Sequence, residues 1–172
     1  IMPLVGGELA RAAFEHGFER YGADILKRYS DMINESGETY LWYFPDGTAA
    51  SVETSTSPDA EPTDGWGSSA MLYALTEGLA GIRDNHKLFE DITVSPRWPA
   101  ADVERAEVCI GYEAGGKAVA YTWECSGDTI TLELEAESVS VAFNCLLPEG
   151  KTCTGVKING KKSDFRESLM EK

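Results

Sequence analysis

Apolar side chains in the first third of the chain recur every three or four positions, as they do along one face of an α-helix. One run covers residues 8–21 and a second covers residues 23–33. Gly22 separates the runs and is interpreted as the turn between two helices, and Gly37 is interpreted as the end of the second helix. The spacing therefore predicts a helical hairpin near the start of the chain.

A polar segment rich in serine, threonine and proline follows at residues 38–64. Loops of this length are uncommon in compact domains unless they serve a function. After this segment, the sequence TDGWGSSAM predicts a third helix with Thr63 or Asp64 as its N-cap. Gly78 and Gly81 are interpreted as the close of that helix.

Beyond Asn85 the period of the apolar residues changes to two, as in a β-strand with one buried face. Turn sequences separate the runs, and Asn159-Gly160 is a dipeptide favoured in two-residue hairpins. Short alternating strands at regular spacing predict an antiparallel sheet, which we interpret as part of a sandwich. The positions expected to face inward are Val108, Ile110, Tyr112, Val119, Tyr121, Trp123, Ile130, Leu132, Leu134, Val139, Val141 and Phe143.

The two periodicities predict an α+β fold in two parts, a helical part at residues 1–84 and an antiparallel β-sandwich domain at residues 85–172. Three helices with a long loop bury little surface by themselves, and small units are hard to stabilise because less of their surface is removed from water. The helices are therefore expected either to dock on the sheet or to complete a larger assembly. The first residue is Ile1 rather than methionine, which favours a piece of a longer polypeptide.

Charge and composition argue against several function classes. The formal net charge of -14 opposes a nucleic-acid surface, because phosphates repel acidic groups. No apolar run reaches the roughly 20 residues that span a bilayer. We therefore expect a soluble protein without a membrane partner. The compartment is left open between the bacterial cytoplasm and the periplasm. The carboxylates serve solubility or line a site for a neutral ligand such as a sugar, and composition leaves both interpretations open.

The cysteines, Cys109, Cys125, Cys145 and Cys153, match no metal-binding spacing. Because no nucleotide-binding motif is present either, neither a metal nor a cofactor is expected. The first three cysteines lie in strand-like runs, where a free cysteine packs as a small apolar residue. They are interpreted as structural, and a disulfide is left open.

Short motifs are spread over most of the chain: GGELA at residues 6–10, DG at 46–47, TDGWGSSA at 63–70, EGLAGI at 77–82 and ITVSPRWP at 92–99. In this order, they resemble the C-terminal end of the six-hairpin helical toroid glycosidases. The GWGSSA start and LAGI end look like the last barrel helix of that superfamily, and SPRWP looks like the strand leading into its β-sandwich. The motifs do not separate rhamnosidase-like, glucoamylase-like and disaccharide-phosphorylase-like relatives.

This resemblance implies a glycoside hydrolase that cleaves with inversion, which needs a carboxylic acid and a carboxylate roughly 6.5–9.5 Å apart. Toroid glycosidases of the glucoamylase type place the catalytic base in a loop shortly before the last barrel helix, here residues 38–64. Glu53 is the first candidate for the base. Asp64 is the second, although an N-cap role also accounts for it. The general acid comes from an earlier part of the barrel, so the isolated chain is expected to be inactive without the N-terminal barrel of the same polypeptide.

Aromatic residues beside the polar segment are a second signal for a sugar, because flat ring faces stack on the C–H faces of a pyranose. Trp42, Tyr43 and Trp66 are the candidates for binding an oligosaccharide or glycoside substrate. Core packing is the alternative for each of them. Since Trp42 and Tyr43 are adjacent and do not easily face one core together, one of the two is expected in a sugar subsite.

A second function class is a non-catalytic carbohydrate-binding or structural accessory module, in which the β-half is the working part. A binding module would display aromatic side chains on an exposed sheet face. The pattern instead places Tyr112, Tyr121 and Trp123 in register with valine and isoleucine, which favours their burial. The strands also hold no cluster of candidate catalytic groups, so a bracing role is the preferred interpretation for the β-half by itself.

Overall fold

A computed structural model describes residues 1–51, 63, 65–138 and 140–168 of the chain. Among these residues the fold is mixed α+β, as predicted, with helices in the first half and strands in the second. Helix α1 covers Pro3–Glu15, α2 covers Glu19–Ser36, and α3 covers Trp66–Tyr73 and continues without a break into a π-helical segment, Ala74–Leu79. None of the helices in the described ranges is long and apolar enough to cross a membrane.

The turn of the first hairpin differs from the prediction. Helix α1 begins at Pro3 and ends before Gly17, which adopts a left-handed φ of 79°. Gly22 lies inside α2, where an added Cβ would approach the Phe14 ring of α1 within 2.9 Å. The predicted turn at Gly22 was wrong because close helix packing and a chain turn both select glycine. The predicted end at Gly37 is confirmed, since this residue caps α2 with a φ of 76°.

Helices α1 and α3 lie side by side and run in the same direction. A Cβ added to Gly67 would lie 2.6 Å from Pro3, and one added to Gly7 would lie 2.5 Å from the backbone of α3. Further along both helices, a side chain at Gly78 would overlap the Phe14 ring. Glycines therefore let the two helix axes approach closely, and α2 packs against α1 in the opposite direction.

The strands of the described residues form three sheets. The first joins β1 (Ile82–Asp84), β2 (Asp91–Val94) and β6 (Ser140–Phe143). The second is an antiparallel meander of β3 (Arg105–Tyr112), β4 (Lys117–Ser126) and β5 (Thr129–Ala136), and the third is a hairpin of β7 (Val156–Ile158) and β8 (Lys161–Ser163). Strand β6 runs parallel to β2, whereas all other pairs are antiparallel. The alternation in residues 140–143 predicts a strand but carries no information about its partner.

Two hydrophobic cores hold these elements together. The first lies among the helices and includes Phe14, Leu26 and Met71. The second is shared by the first two sheets: Ile92 comes from β2, and Trp123 from β4. The two sheets therefore bury their apolar faces against each other.

The predicted alternation along β4 is confirmed, because Val119, Tyr121 and Trp123 are at most 3% exposed. Other positions expected to face inward are exposed by 43–49%, namely Tyr112, Val141 and Phe143. These three predictions were wrong because Tyr112 is the last residue of its strand and all four residues of β6 are exposed, so neither position has a buried face. Val139 lies outside the described residues.

Buried hydrogen bonds join the helices to the sheets. The Tyr121 hydroxyl donates to the Ala80 carbonyl over 2.7 Å and accepts from the Trp98 indole over 2.9 Å. The Arg97 guanidinium donates to the carbonyls of Gly78 and Ser95 over 2.5 and 3.3 Å. Carbonyls at the end of a helix lack intrahelical donors, so Arg97 provides the missing hydrogen-bond donor to the Gly78 carbonyl at the end of the π-helical segment.

The hairpin predicted at Asn159-Gly160 is confirmed. Asn159 and Gly160 have φ values of 50° and 78°, and both central residues of a type I′ turn require positive φ. The turn joins β7 to β8 with Ile158 opposite Lys161. Local turn chemistry is therefore enough to predict this element.

Candidate functional site

The N-terminal ends of α1 and α3 lie together at one end of the helical half. Gly67, in the first turn of α3, contacts Pro3 at the start of α1. The Tyr43 N–H donates to the Ile1 carbonyl over 2.8 Å, and the Ile1 amino group donates to the Tyr43 carbonyl over 2.7 Å. Residues 1–4, 38–51, 63 and 65–67 therefore form one region, which we name the loop end.

A tight turn at residues 44–48 shapes the loop end. The Phe44 N–H donates to the Thr48 carbonyl over 2.8 Å, and the Thr48 N–H donates to Oδ1 of Asp46 over 2.9 Å. Gly47 supplies a left-handed φ of 90°. The hydrogen bonds from Thr48 hold the pKa of Asp46 below its ordinary value because they stabilise the carboxylate. Asp46 therefore fixes the turn.

Tyr43, one of the three aromatic candidates, is 1% exposed and belongs to the helical core. Its hydroxyl accepts from the Tyr40 N–H and donates to the Glu38 carbonyl, both over 3.3 Å. The rings of Tyr40 and Tyr43 meet edge to face, with centroids 5.8 Å apart. This position gives Tyr43 a packing role and leaves no open ring face for a sugar.

Trp42 and Trp66, the other two aromatic candidates, are accessible. Trp42 is half-buried and meets Phe44 edge to face, with ring centroids 4.6 Å apart. Trp66 is the first residue of α3 and is 71% exposed. Tryptophan is highly buried on average in folded proteins, so an indole this exposed is an informative departure. Trp66 offers the largest open ring face of the loop end.

The two candidate carboxylates, Glu53 and Asp64, lie outside the described residues. Thr63 forms a β-bridge with Tyr40, which places it at the loop end. The predicted cap at Thr63 was wrong, because Gly65 occupies the N-cap of α3, and the alternative cap, Asp64, lies outside the described residues. The two described parts of this segment, residues 38–51 and residue 63, therefore both lie at the loop end.

A polar cluster that the sequence did not predict lies where α3 meets β1. The Arg83 guanidinium is 2.9 Å from Oε1 of Glu15 and 3.5 Å from Oε2 of Glu77. The Glu77 side chain is 17% exposed, and its carboxylate raises the pKa of Tyr73 through a hydrogen bond. The four-residue spacing of Tyr73 and Glu77 on a helix was the available signal. We name Glu15, Tyr73, Glu77, Arg83 and Asp84 the junction cluster.

Tyr112 borders the junction cluster. Its ring stacks on Phe89 with centroids 4.6 Å apart. Burial, and then the neighbouring Asp84 carboxylate, raise the pKa of the Tyr112 hydroxyl. Because Arg83 pairs with carboxylates on two helical segments, the cluster tethers α1 and the π-helical segment to β1.

The outer face of the second sheet carries an open acidic depression. It is lined by residues that include Glu107, Cys109, Thr122, Glu133 and Glu135. The aromatic rings of β4 lie on the opposite face, where Tyr121 and Trp123 are buried. This sheet face therefore lacks the displayed aromatic platform that a sugar-binding module of the β-half would need.

The described residues were compared with the requirements of a metal site, and the chain was compared with known proteins. Within residues 1–51, 63, 65–138 and 140–168, no group of three or more His, Cys, Asp or Glu side chains is arranged to hold a metal ion. The functional argument therefore rests on the residues themselves, because a comparison of the chain with protein-family models and with curated proteins finds no match.

Proposed function

We propose that the chain is the C-terminal part of an inverting glycoside hydrolase of the helical toroid class. In this proposal α1 and α3 are neighbours in one ring of the toroid, and α2 belongs to the other ring. The two sheets that share a core are the β-sandwich domain, which braces the last helices. The parallel, glycine-mediated packing of α1 on α3 is the observation that carries the proposal.

An open apolar stripe on α1 supports the same arrangement. Val5 and Leu9 are spaced by four residues on α1 and are 59% and 46% exposed. On a helix this spacing places the two side chains on one face, away from the contacts that Gly7 makes with α3. Exposed apolar faces mark interaction surfaces. We infer that helices from an upstream barrel of the same polypeptide cover this stripe, as in a closed ring.

The loop end is the proposed substrate site. Glu53 is the proposed general base, and Asp64 is the second candidate. The base takes a proton from a water molecule while the oxygen of that water attacks the anomeric carbon. A carboxylic acid from the upstream barrel protonates the leaving oxygen on the other side of the bond. Trp66 and Trp42 contact the sugar rings of an oligosaccharide or glycoside.

The test uses the polypeptide that includes the upstream helices. Glu53→Gln is expected to lower kcat by a factor of about 10² to 10⁴, the usual contribution of a general base. Glu61→Gln, in the same segment, is the matched control and is expected to leave kcat unchanged. The anomeric configuration of the first product, read by NMR, is expected to be inverted. Equal activity of the two variants, or retention, would remove Glu53 as the base.

A non-catalytic carbohydrate-binding module is the second candidate, and the exposure of Trp66 is the observation that favours it. Calorimetric titration of the 172-residue chain with oligosaccharides distinguishes the two functions. Binding that Trp66→Ala abolishes and Tyr21→Ala preserves, with no hydrolysis by the longer polypeptide, would favour the binding module. Tyr21 is a suitable control because it is 52% exposed on α2.

A further inference from the structure

Strand β6 is an edge strand of the first sheet. In the described part of the chain the order of this sheet is β1-β2-β6, so β6 pairs with β2 on one side only. The pairing continues past the strand, because the N–H groups of Asn144 and Leu146 donate to the carbonyls of Val94 and Pro96 over 3.0 and 3.4 Å. Residues 140–146 therefore form one long edge of the sheet.

The backbone groups of Val141 and Phe143 point away from β2. The N–H groups of Ser140 and Asn144 donate toward β2, and successive residues of a strand alternate in the direction of their backbone groups. Among the residues that the structure describes, no backbone hydrogen bond reaches the N–H groups of Val141 and Phe143. Unpaired backbone groups along a strand edge are a template for pairing with another strand.

The side chains of Val141 and Phe143 continue the apolar face of the second core. In the parallel register Val141 pairs with Ile92 and Phe143 pairs with Val94, so the paired side chains point to the same face of the sheet. Ile92 and Val94 are fully buried, whereas Val141 and Phe143 are 43% and 49% exposed. The second core therefore ends at β6 in an uncovered apolar margin.

This edge carries none of the features by which proteins usually prevent edge-to-edge pairing, which are charged side chains, proline and β-bulges. Residues 138–147 contain neither a charged residue nor a proline, although the formal net charge of the chain is -14. Strand β6 also pairs with β2 in a continuous register. A second copy of this acidic chain can therefore approach along β6 without opposing like charges in the strand.

We propose that β6 pairs antiparallel with β6 of a second copy of the chain, about a two-fold axis. A two-fold interface joins the same patch of both copies, so it requires a self-complementary strand, and a neutral strand with one apolar face meets this requirement. With the axis at Ala142, Val141 of one copy lies opposite Phe143 of the other, which is a favourable pair of a β-branched and an aromatic residue. These opposite residues exchange the hydrogen bonds of their outward backbone groups.

The pairing joins two three-stranded sheets into one continuous sheet, in which the apolar margin of each copy is covered by that of the other. The inference is independent of the proposed glycosidase function, because it uses no residue of the loop end.

Sedimentation equilibrium of the 172-residue chain tests the association directly. The concentrations run from about 10 µM to about 1 mM, because small interfaces give weak complexes. The weight-average mass is expected to rise from 18.7 kDa toward twice that value. Added NaCl screens the repulsion between two acidic copies, so the dimer fraction is expected to increase with salt, whereas ion pairs at an interface would have the opposite effect.

Substitutions at β6 locate the contact. Val141→Lys is expected to lower the association constant by about tenfold or more, because a two-fold interface contains each substitution twice. Val141→Pro removes an N–H that points away from β2, so it keeps the pairing with β2 and is also expected to prevent the dimer. Ile158→Lys on β7 is the matched control, since Ile158 is 61% exposed and the change in charge is the same as in Val141→Lys. Far-UV circular dichroism checks that each variant is folded.

Hydrogen exchange measured by NMR provides a second readout. The N–H groups of Val141 and Phe143 are expected to exchange more slowly as the protein concentration rises, whereas exchange in the β7–β8 hairpin does not change. A chain that stays at 18.7 kDa at the highest concentration would overturn the proposal. A dimer that Val141→Lys leaves intact, or one that protects α1 in place of β6, would overturn it as well.

Discussion

Gly81 joins the helical half to β1 at a point where a side chain does not fit. Its φ is 71°, in the left-handed region, and an added Cβ would overlap the carbonyl of Ser95. The Gly81 carbonyl also accepts a hydrogen bond from the Ser95 N–H over 2.7 Å. Two requirements therefore coincide at one residue: a positive φ and a close approach between backbone segments.

Gly81→Ala is expected to destabilise the fold by more than about 3 kcal/mol, because left-handed strain adds to a backbone clash. Gly127→Ala is the matched control, since Gly127 has a φ of 60° but nothing within 4 Å of an added Cβ. The control is expected to cost about 1 kcal/mol from φ alone. Urea unfolding measures both values, and equal losses would show that the clash is absent.

Cys145 is a second residue whose surroundings affect stability, because burial changes the pKa of its thiol. Burial raises the pKa of its thiol from 9.0 to about 11. The folded chain therefore keeps the proton over a range in which the unfolded chain loses it. The resulting stabilisation is fully present below pH 9 and is lost as the pH rises to about 11.

The stability that Cys145→Ser removes is therefore expected to depend on pH. Between pH 8.5 and 11, the difference in unfolding free energy between wild type and Cys145→Ser should shrink by about 2 kcal/mol, which corresponds to the shift of the thiol pKa. Urea titrations at several pH values measure the difference, and a constant difference would contradict the burial of this thiol.

At the scale of elements, local patterns predicted those features that local chemistry determines. The alternation of β3, β4 and β5, the end of α2 at Gly37 and the Asn159-Gly160 hairpin each depend on residues close in sequence. The turn at Gly17 was not predictable in this way, because Gly22 was an equally suitable turn residue. The parallel pairing of β6 with β2 was not predictable either, because the sequence of a strand does not identify its partner strand.

In the candidate site, too, the features that depend on contacts between distant residues could not be predicted from the sequence. Trp66 was a candidate because it lies beside the polar segment, but its exposure could not be predicted, because core packing was the alternative for a tryptophan at the start of a helix. The burial of Tyr43 could not be predicted either, because it depends on backbone pairing with Ile1, which is 42 residues away. The junction cluster was missed for the same reason, since Arg83 and Glu15 are separated by 68 positions.

Arg97 is the element-scale contact with the largest expected effect. Arg97→Met should destabilise the fold by about 2–3 kcal/mol, because carbonyls of Gly78 and Ser95 lose a charged donor. Arg97→Lys keeps the charge but not the planar guanidinium, so it should recover only part of the loss. Arg28→Ala, which breaks an exposed pair with Asp24, is the control and should not change the unfolding midpoint. An unchanged midpoint for Arg97→Met would show that these contacts do not join the halves.

At the scale of the whole molecule, helix α1 carries apolar residues on two sides. One side packs on α2 and α3 through residues such as Ala10 and Phe14, which are fully buried. The other side, at Val5 and Leu9, faces solvent in this chain. A helix with partners on both sides is ordinary inside a ring of helices, so we propose that further helices cover it.

The double substitution Val5→Gln and Leu9→Gln separates these two environments. In the 172-residue chain it should change the free energy of unfolding by less than about 0.5 kcal/mol, because both side chains are exposed. In a polypeptide with upstream helices it should cost about 2 kcal/mol or more, since buried apolar groups are then replaced by polar ones. Lys27→Gln on α2 is the control in both backgrounds. Equal small effects in both would argue against a covered stripe.

The most direct test of the central claim is the mass of the native polypeptide that contains these residues. An antibody against the β-half captures it from source cells, and intact-mass and peptide spectrometry then define its length and its upstream sequence. If the toroid proposal is correct, the mass is well above the 18.7 kDa of this chain, and the sequence contains further helical hairpins before Ile1. A native polypeptide of 18.7 kDa would contradict the toroid proposal and leave the sugar-binding module as the function to test.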